Sequence, residues 1–294
     1  MTTSVVGSPQ GAAASAASAV PGVSDLAASG LAGSSQDLPT IRINGAIWVA
    51  SDQHLSADMP ATREAFLAFL ELAADNATAL LLPGDIFDAW VGDDVIDAPP
   101  PWLAEVLDGL RQCSKRIALW MGHGNRDFLM GDKLARSVGA KLLPELVRIQ
   151  APGGAFLLCH GDELCTDDLA YQDFRRQVRG QAWQEAFLAR PLAEREAIAD
   201  GLRRDSQQEQ QGKTDAVMDV NQHTVETLLR THRAMRLIHG HTHRPERHVF
   251  MLDDRRCERW VLPDWDLDSS KATRGGWLIA DEDGLSINDI ELAD

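Results

Sequence analysis

Long apolar runs are missing from this 294-residue chain. A helix built to cross a bilayer needs roughly 20 consecutive apolar residues, so a spanning helix is not expected. Cysteine is scarce: Cys113, Cys159, Cys165 and Cys257 are too few and too irregularly spaced for a disulfide framework or a CxxC zinc clip. They are expected to be reduced thiols of a cytosolic protein. Positive charge is also short. With 28 basic against 44 acidic residues the net charge is −16, which excludes a general nucleic-acid binder relying on a basic footprint. Core-forming material is not lacking. Apolar residues make up 44% and charged ones 24%, globular proportions, in a length that suits one large α/β domain or two small ones.

The first forty residues have no Lys, Arg or aromatic residue, and 22 of them are Ala, Gly or Ser. They carry neither the basic start and apolar stretch of a secretory signal nor the arginines of a transit peptide. Low hydrophobicity without periodicity does not offset the entropy of ordering. Residues 1–42 are therefore expected to be a disordered low-complexity tail ahead of a domain over 43–294.

From Ile41 onward, short apolar runs bounded by glycine and polar clusters recur: Ala46–Ala50, Ala79–Leu82, Ile117–Met121, Ala155–Cys159 and Leu237–Ile238. Their length and flanks predict buried strands. Ala65, Phe66, Phe69, Leu70 and Ala73 are spaced as on a helix over Thr62–Ala74. Further helices are expected at Trp102–Leu110 and Lys133–Val138. Alternating strands and helices imply an α/β fold with a largely parallel sheet. Hairpins are expected around Asp253–Arg256 and Asp283-Gly284. Residues 167–219 hold no good strand and are expected to be a helical insertion carrying Phe174, Trp183, Phe187, Leu188, Leu192, Ile198 and Leu202.

Each of the five strands ends in a metal-ligand residue. The groups are Asp52-Gln53-His54, Gly84-Asp85-Ile86-Phe87-Asp88, Gly124-Asn125-Arg126-Asp127, His160-Gly161-Asp162 and His239-Gly240-His241-Thr242-His243. In open α/β sheets, sites form beyond the carboxyl ends of strands. Positions i and i+2 of an extended segment point the same way, so Asp52 with His54, and His241 with His243, are expected to reach one ion. Asp85 is expected to bridge two ions with its two oxygens. Asn125 offers a carbonyl, and His160 completes a second set. Mixed imidazole and carboxylate ligands suit Mn, Fe, Zn or Ni better than Mg or Ca. Alone, each group has a bland reading as a turn or a hydrogen-bonded core residue. Five in this order carry the signal.

Asp52-x-His54, Gly84-Asp85-x-x-Asp88, Gly124-Asn125, His160 and Gly240-His241-x-His243 resemble the calcineurin-like metallophosphoesterases. The resemblance implies a four-layer α/β sandwich of two mixed sheets flanked by helices, with the insertion as a cap. It implies two divalent cations, one held by Asp52, His54, Asp85 and His243, the other by Asp85, Asn125, His160 and His241. Most members of that superfamily have His after Gly-Asn, where this chain has Arg126. A phosphate leaving group, with a pKa of roughly 6, needs no proton donor. A guanidinium suits a diphosphate instead, so the site looks tuned for a phosphoanhydride, unless Arg126 is a surface ion-pair residue.

The strings Gly84–Asp94, Gly124–Leu129, His160–Asp168, Met218–Gln222 and Ile238–Pro245 are similar to those of the UDP-2,3-diacylglucosamine diphosphatases of lipid A biosynthesis, from about residue 43 to 290. That likeness implies Mn as the metal, and attack of a metal-activated hydroxide on the α-phosphorus of UDP-2,3-diacylglucosamine. Asn125, Arg126 and His241 would be the catalytic and phosphate-contacting residues. Asp127 would orient Arg126 or neighbouring ligands, or cap a turn. Asp168, Tyr171, Arg203, Ser206, Gln210 and Lys213 match substrate-contacting positions, although Gln210 replaces an expected Asn. Trp183, Phe187, Leu188, Ile198 and Leu202 would line an acyl-chain groove or form packing core. The likeness also implies work in the cytoplasm, peripherally on the inner membrane, with Arg175, Arg176 and Arg179 as the lipid-facing patch or else a solvated helix face. Other readings are a dinuclear phosphoesterase for a soluble nucleotide or phosphoprotein, and a non-catalytic scaffold.

Overall fold

The computed structural model describes residues 38–210, 219–269 and 273–290. Two six-stranded mixed sheets face each other. The first runs β12 (Gly284–Asp289), β11 (Gly276–Asp281), β2 (Ile47–Val49), β3 (Ala79–Leu82), β4 (Ala118–Met121) and β5 (Lys141–Leu142). The second runs β1 (Thr40–Arg42), β6 (Leu146–Ala151), β7 (Gly154–Cys159), β8 (Arg236–His239), β10 (Arg255–Val261) and β9 (Glu246–Leu252).

The continuous apolar character of the central strands follows from burial on both faces. Ile47, Val49, Ala79 and Leu81 point into the core between the sheets, where they meet Phe156, Leu158 and Ile238. Trp48, Leu80 and Leu82 alternate to the opposite face. There they are covered by α1 (Pro60–Asn76), α2 (Pro101–Ser114) and α3 (Asp132–Ser137) through Phe66, Phe69, Leu103, Val106 and Leu134. On the far side of the second sheet, Leu157, Cys159 and Leu237 pack against Val225 and Leu229 of α7 (Gln222–Thr231). The result is the expected helix–sheet–sheet–helix order.

Three further helices, α4 (Leu169–Val178), α5 (Gln181–Leu188) and α6 (Leu192–Gln210), lie in the connection between β7 and β8. Of the stretch expected to be disordered, residues 1–37 lie outside the described residues. The expected boundary at residue 42 is corrected, because Thr40–Arg42 pairs in parallel with Arg148–Gln150 of β6. Ile41 packs against the core between the sheets, and that contact favours order over the local composition. The four cysteines are free and buried. Among the described residues, no helix is long and apolar enough to cross a membrane.

Candidate active site

The loops leaving β2, β3, β4, β7 and β8 meet at one end of the sandwich. Asp52, His54, Asp85, His241 and His243 all have positive φ, at 59°, 48°, 52°, 67° and 53°. Residues other than glycine seldom occupy this region, and such backbone persists only where its surroundings over-determine it. The convergence of Asp52 with His54 therefore comes from two left-handed residues, not from the extended alternation expected from the sequence. Close approach also demands glycine twice: a Cβ on Gly124 would lie 2.0 Å from Asp85 Oδ1, and one on Gly240 2.1 Å from Asp52 Oδ2.

All seven candidate ligands come together. His243 Nε2 lies 3.2 Å from His54 Nε2 and 3.5 Å from Asp52 Oδ1. Asp85 Oδ2 is 3.8 Å from His54 Nε2 and 3.7 Å from His160 Nε2, so this one oxygen faces both groups. Its partner Oδ1 accepts the Arg126 backbone N–H at 2.8 Å. Asn125 Oδ1 lies 2.9 Å from His241 Nδ1 and 3.3 Å from His160 Nε2. Asp52, His54 and His243 form one compact triad, and Asp52, Asp85 and His160 another.

Electrostatics fit cation binding. Burial, with His243 nearby, pushes the His54 imidazole down to about 3, and burial beside His160 takes His241 to about 4. Both therefore offer neutral lone pairs. Burial together with the charges of Asp127 and Asp52 raises the Asp85 carboxyl well above its ordinary value. Burial acts to raise Asp52 as well, but a hydrogen bond with His243 and the charges of His160, His243 and His54 hold it far below. His243 itself would be lowered by burial, yet Asp52 and then Asp264 raise it. Imidazoles and carboxylates buried together without full hydrogen bonding, including an unpartnered His160 Nδ1, are the donor set that borderline divalent cations take.

Asp127 resolves in favour of scaffolding. Its carboxylate accepts N–H groups from Gly124 at 2.8 Å, Asp85 at 3.1 Å and Ile86 at 2.8 Å, binding the β3 and β4 loops together. Sequence reasoning missed Asp264, whose Oδ2 lies 3.4 Å from His243 Nδ1 and accepts from Arg274 Nε at 2.6 Å. The Leu262-Pro263-Asp264 strand end carried the same signal as Leu82–Asp85. It also missed Asp162 as a hub, reached by the Tyr171 hydroxyl at 2.6 Å and Arg175 Nε at 2.8 Å.

Beside the donor cluster opens a cavity of about 540 Å³. Its polar lining includes His54, Asp85, Asn125, Arg126, His241 and His243, and its apolar lining Trp90, Val91, Phe128, Phe174, Trp183 and Leu202. Asp168, Tyr171 and Arg203 also line it. Asp168 caps α4 through the Tyr171 N–H, and Arg203 pairs with Asp88 at 3.0 Å. The side chains of Ser206 and Gln210, and all of Lys213, lie outside the described residues. Trp183 and Phe187 both line the cavity and pack on the core, whereas Ile198 only packs and Leu188 is exposed.

The arginine patch expected to face lipid is overturned. Arg175 and Arg179 are only 15% and 13% exposed and pair with Asp162 and Glu145, so only Arg176 faces solvent. Arg179 also donates to the Gly124 carbonyl at 2.9 Å.

Residues 45–245 match the calcineurin-like phosphoesterase family, and the chain belongs to that family. It is similar to a UDP-2,3-diacylglucosamine hydrolase of Bordetella pertussis, 55% identical over 85% of this chain and 97% of the relative. A second relative of that name, from Aromatoleum aromaticum, is 50% identical over 73% of this chain and 87% of its own length. Among solved structures, an archaeal phosphodiesterase superposes with a TM-score of 0.41 at 13% identity, covering 84% of this chain and 99% of its own.

Proposed function

We propose that the chain hydrolyses the pyrophosphate bond of UDP-2,3-diacylglucosamine, giving UMP and 2,3-diacylglucosamine 1-phosphate in lipid A biosynthesis. One observation carries the proposal: five of the seven candidate metal ligands, His54, Asp85, Asn125, His241 and His243, line a cavity that is also walled by apolar and aromatic side chains. A diphosphate joining a nucleoside to a diacylated sugar has that distribution of polarity. The substrate assigned by name to the similar hydrolases supports the same reading.

Asp52, His54, Asp85 and His243 would hold one divalent cation and Asp85, Asn125, His160 and His241 a second, with Mn, implied by the likeness to the diphosphatases, among the metals that such ligands suit. Cations held there would acidify a bound water towards neutral pH and would neutralise phosphoryl charge. Arg126 makes no side-chain hydrogen bond or ion pair with the described residues, so its guanidinium is free to clamp the diphosphate from the cavity wall. Asn125 and His241 orient the phosphoryl oxygens, and water attacks the α-phosphorus in line with the departing sugar phosphate. The leaving phosphate departs as an anion and requires no proton donor, in keeping with Arg126 at this position. Tyr171, from the cap, lines the cavity and stacks near His241, with ring centroids 6.0 Å apart. Because the substrate carries two fatty chains, the enzyme works in peripheral contact with the cytoplasmic side of the inner membrane.

The test offers purified protein with Mn three substrates: UDP-2,3-diacylglucosamine, a phosphomonoester and a soluble dinucleotide. UMP release from the first alone is expected. In ¹⁸O-water the label should enter UMP. Label in the sugar phosphate would overturn attack at the α-phosphorus, and preference for either other substrate would overturn the assignment.

A further inference from the structure

The signature Gly84–Asp94 is only partly used by the site, because Trp90–Asp94 provides no candidate ligand. Asp93 serves the loop itself. Its carboxylate accepts from Trp90 Nε1, Gly131 N and Leu134 N, each at 2.9 Å, so it fixes the loop and caps α3. Asp94 faces the other way, towards α6. Arg195 of that helix is 3% exposed at its side chain, although α6 is otherwise largely open to solvent. Its Nη1 donates to the Val91 carbonyl and, at 2.9 Å, to Asp94 Oδ1. Its Nη2 donates to Asp94 Oδ2, and its Nε donates to the Arg190 carbonyl at 3.0 Å. Four of the five guanidinium N–H groups are thereby used, in the bidentate geometry that gives arginine–carboxylate pairs their directionality.

Gly92 completes the fit. It sits at φ +134°, and a Cβ there would come within 2.3 Å of Arg195 Nη1 and 2.8 Å of Leu188 Cδ2. The loop is thus shaped to receive α5 and α6. One and two turns beyond Arg195, Ala199, Leu202 and Arg203 line the cavity together with Trp90 and Val91.

We propose that Asp94 and Arg195 form a clasp that fixes α6 on the core and thereby makes the apolar arm of the cavity, so that they determine specificity for long-chain acylated substrates without touching the reacting phosphates. The acyl part of this inference rests on the function proposed above. The clasp itself does not.

Two variants test it: Arg195→Met, which keeps an apolar stem, and Asp94→Asn, which keeps the shape. Hydrogen exchange reads the clasp without substrate. Amides of residues 192–204 should exchange at least about tenfold faster in both variants while β3 and β4 stay protected; unchanged exchange over 192–204 would overturn the clasp. Kinetics read the specificity. KM for UDP-2,3-diacylglucosamine in detergent micelles should rise about tenfold or more, while Mn-dependent hydrolysis of bis(p-nitrophenyl) phosphate stays within about twofold. An equal fall for both substrates, or an unmoved KM, would overturn the role in specificity. If the unaltered protein ignores the lipid substrate while the exchange effect appears, the function assignment and the specificity role fail and the clasp stands.

Discussion

Asp264 backs His243 from outside the donor cluster. Its carboxylate stands 3.4 Å from Nδ1, on the far side of the ring from the Nε2 that faces Asp52 and His54. Partners of this kind orient a ligand and raise its basicity, so Asp264→Asn should weaken divalent binding by about 10–100-fold, measured by calorimetry. Asp127 acts on backbone. Its removal in Asp127→Ala strands buried N–H groups of Gly124, Asp85 and Ile86. With about 1–3 kcal/mol for each orphaned donor, urea unfolding should show a loss exceeding about 3 kcal/mol. Arg126 should behave in the opposite way. Arg126→Ala is expected to lower kcat/KM on the diphosphate by about 10–100-fold, the worth of a charge-assisted contact, with metal affinity and melting temperature nearly unchanged.

The clasp between the β3 loop and α6 has a pH signature. The hydrogen bond from Arg195 is the chief reason that Asp94 titrates below its ordinary 3.8. A depressed carboxyl stabilises the fold above the unfolded value and loses that contribution as pH falls through its folded value. The melting-temperature gap between the natural protein and Arg195→Met should therefore be full at pH 7 and narrow below about pH 3.8. Asp94 is half exposed, so the gap is expected to be modest. The central strands were legible because burial on both faces leaves an uninterrupted apolar run, as in Ala79–Leu82. Strand β6 escaped because Arg148 and Gln150 interrupt Val147, Ile149 and Ala151, which all point inward. The candidate ligands could be picked out by their types, but not the left-handed backbone that aims them, since φ is set by the neighbouring loops. Likewise a basic helix face looks the same in sequence whether its arginines meet water or, like Arg175 and Arg179, meet Asp162 and Glu145.

The donors divide between the two sheets. Asp52, His54, Asp85 and Asn125 follow β2, β3 and β4 of one, and His160, His241 and His243 follow β7 and β8 of the other. Without a cation the link at this end rests on contacts such as the His241 N–H to the Asp52 carboxylate, at 3.0 Å, and Trp265 N to the Asp52 carbonyl, also at 3.0 Å. Metal should therefore stabilise the whole domain: at a free concentration 100 times Kd, unfolding should cost about 2.7 kcal/mol more than in chelator. Calorimetric scans with Mn and with EDTA check this, and coincident transitions would contradict it. Seen mechanically, an ion in this position is a rivet through two plates at their working edge. Stripping it would leave the plates clamped by their oily middle but free to shear at the rim, so the first motion of the metal-free protein should be a sliding of one plate over the other, with the interior still closed.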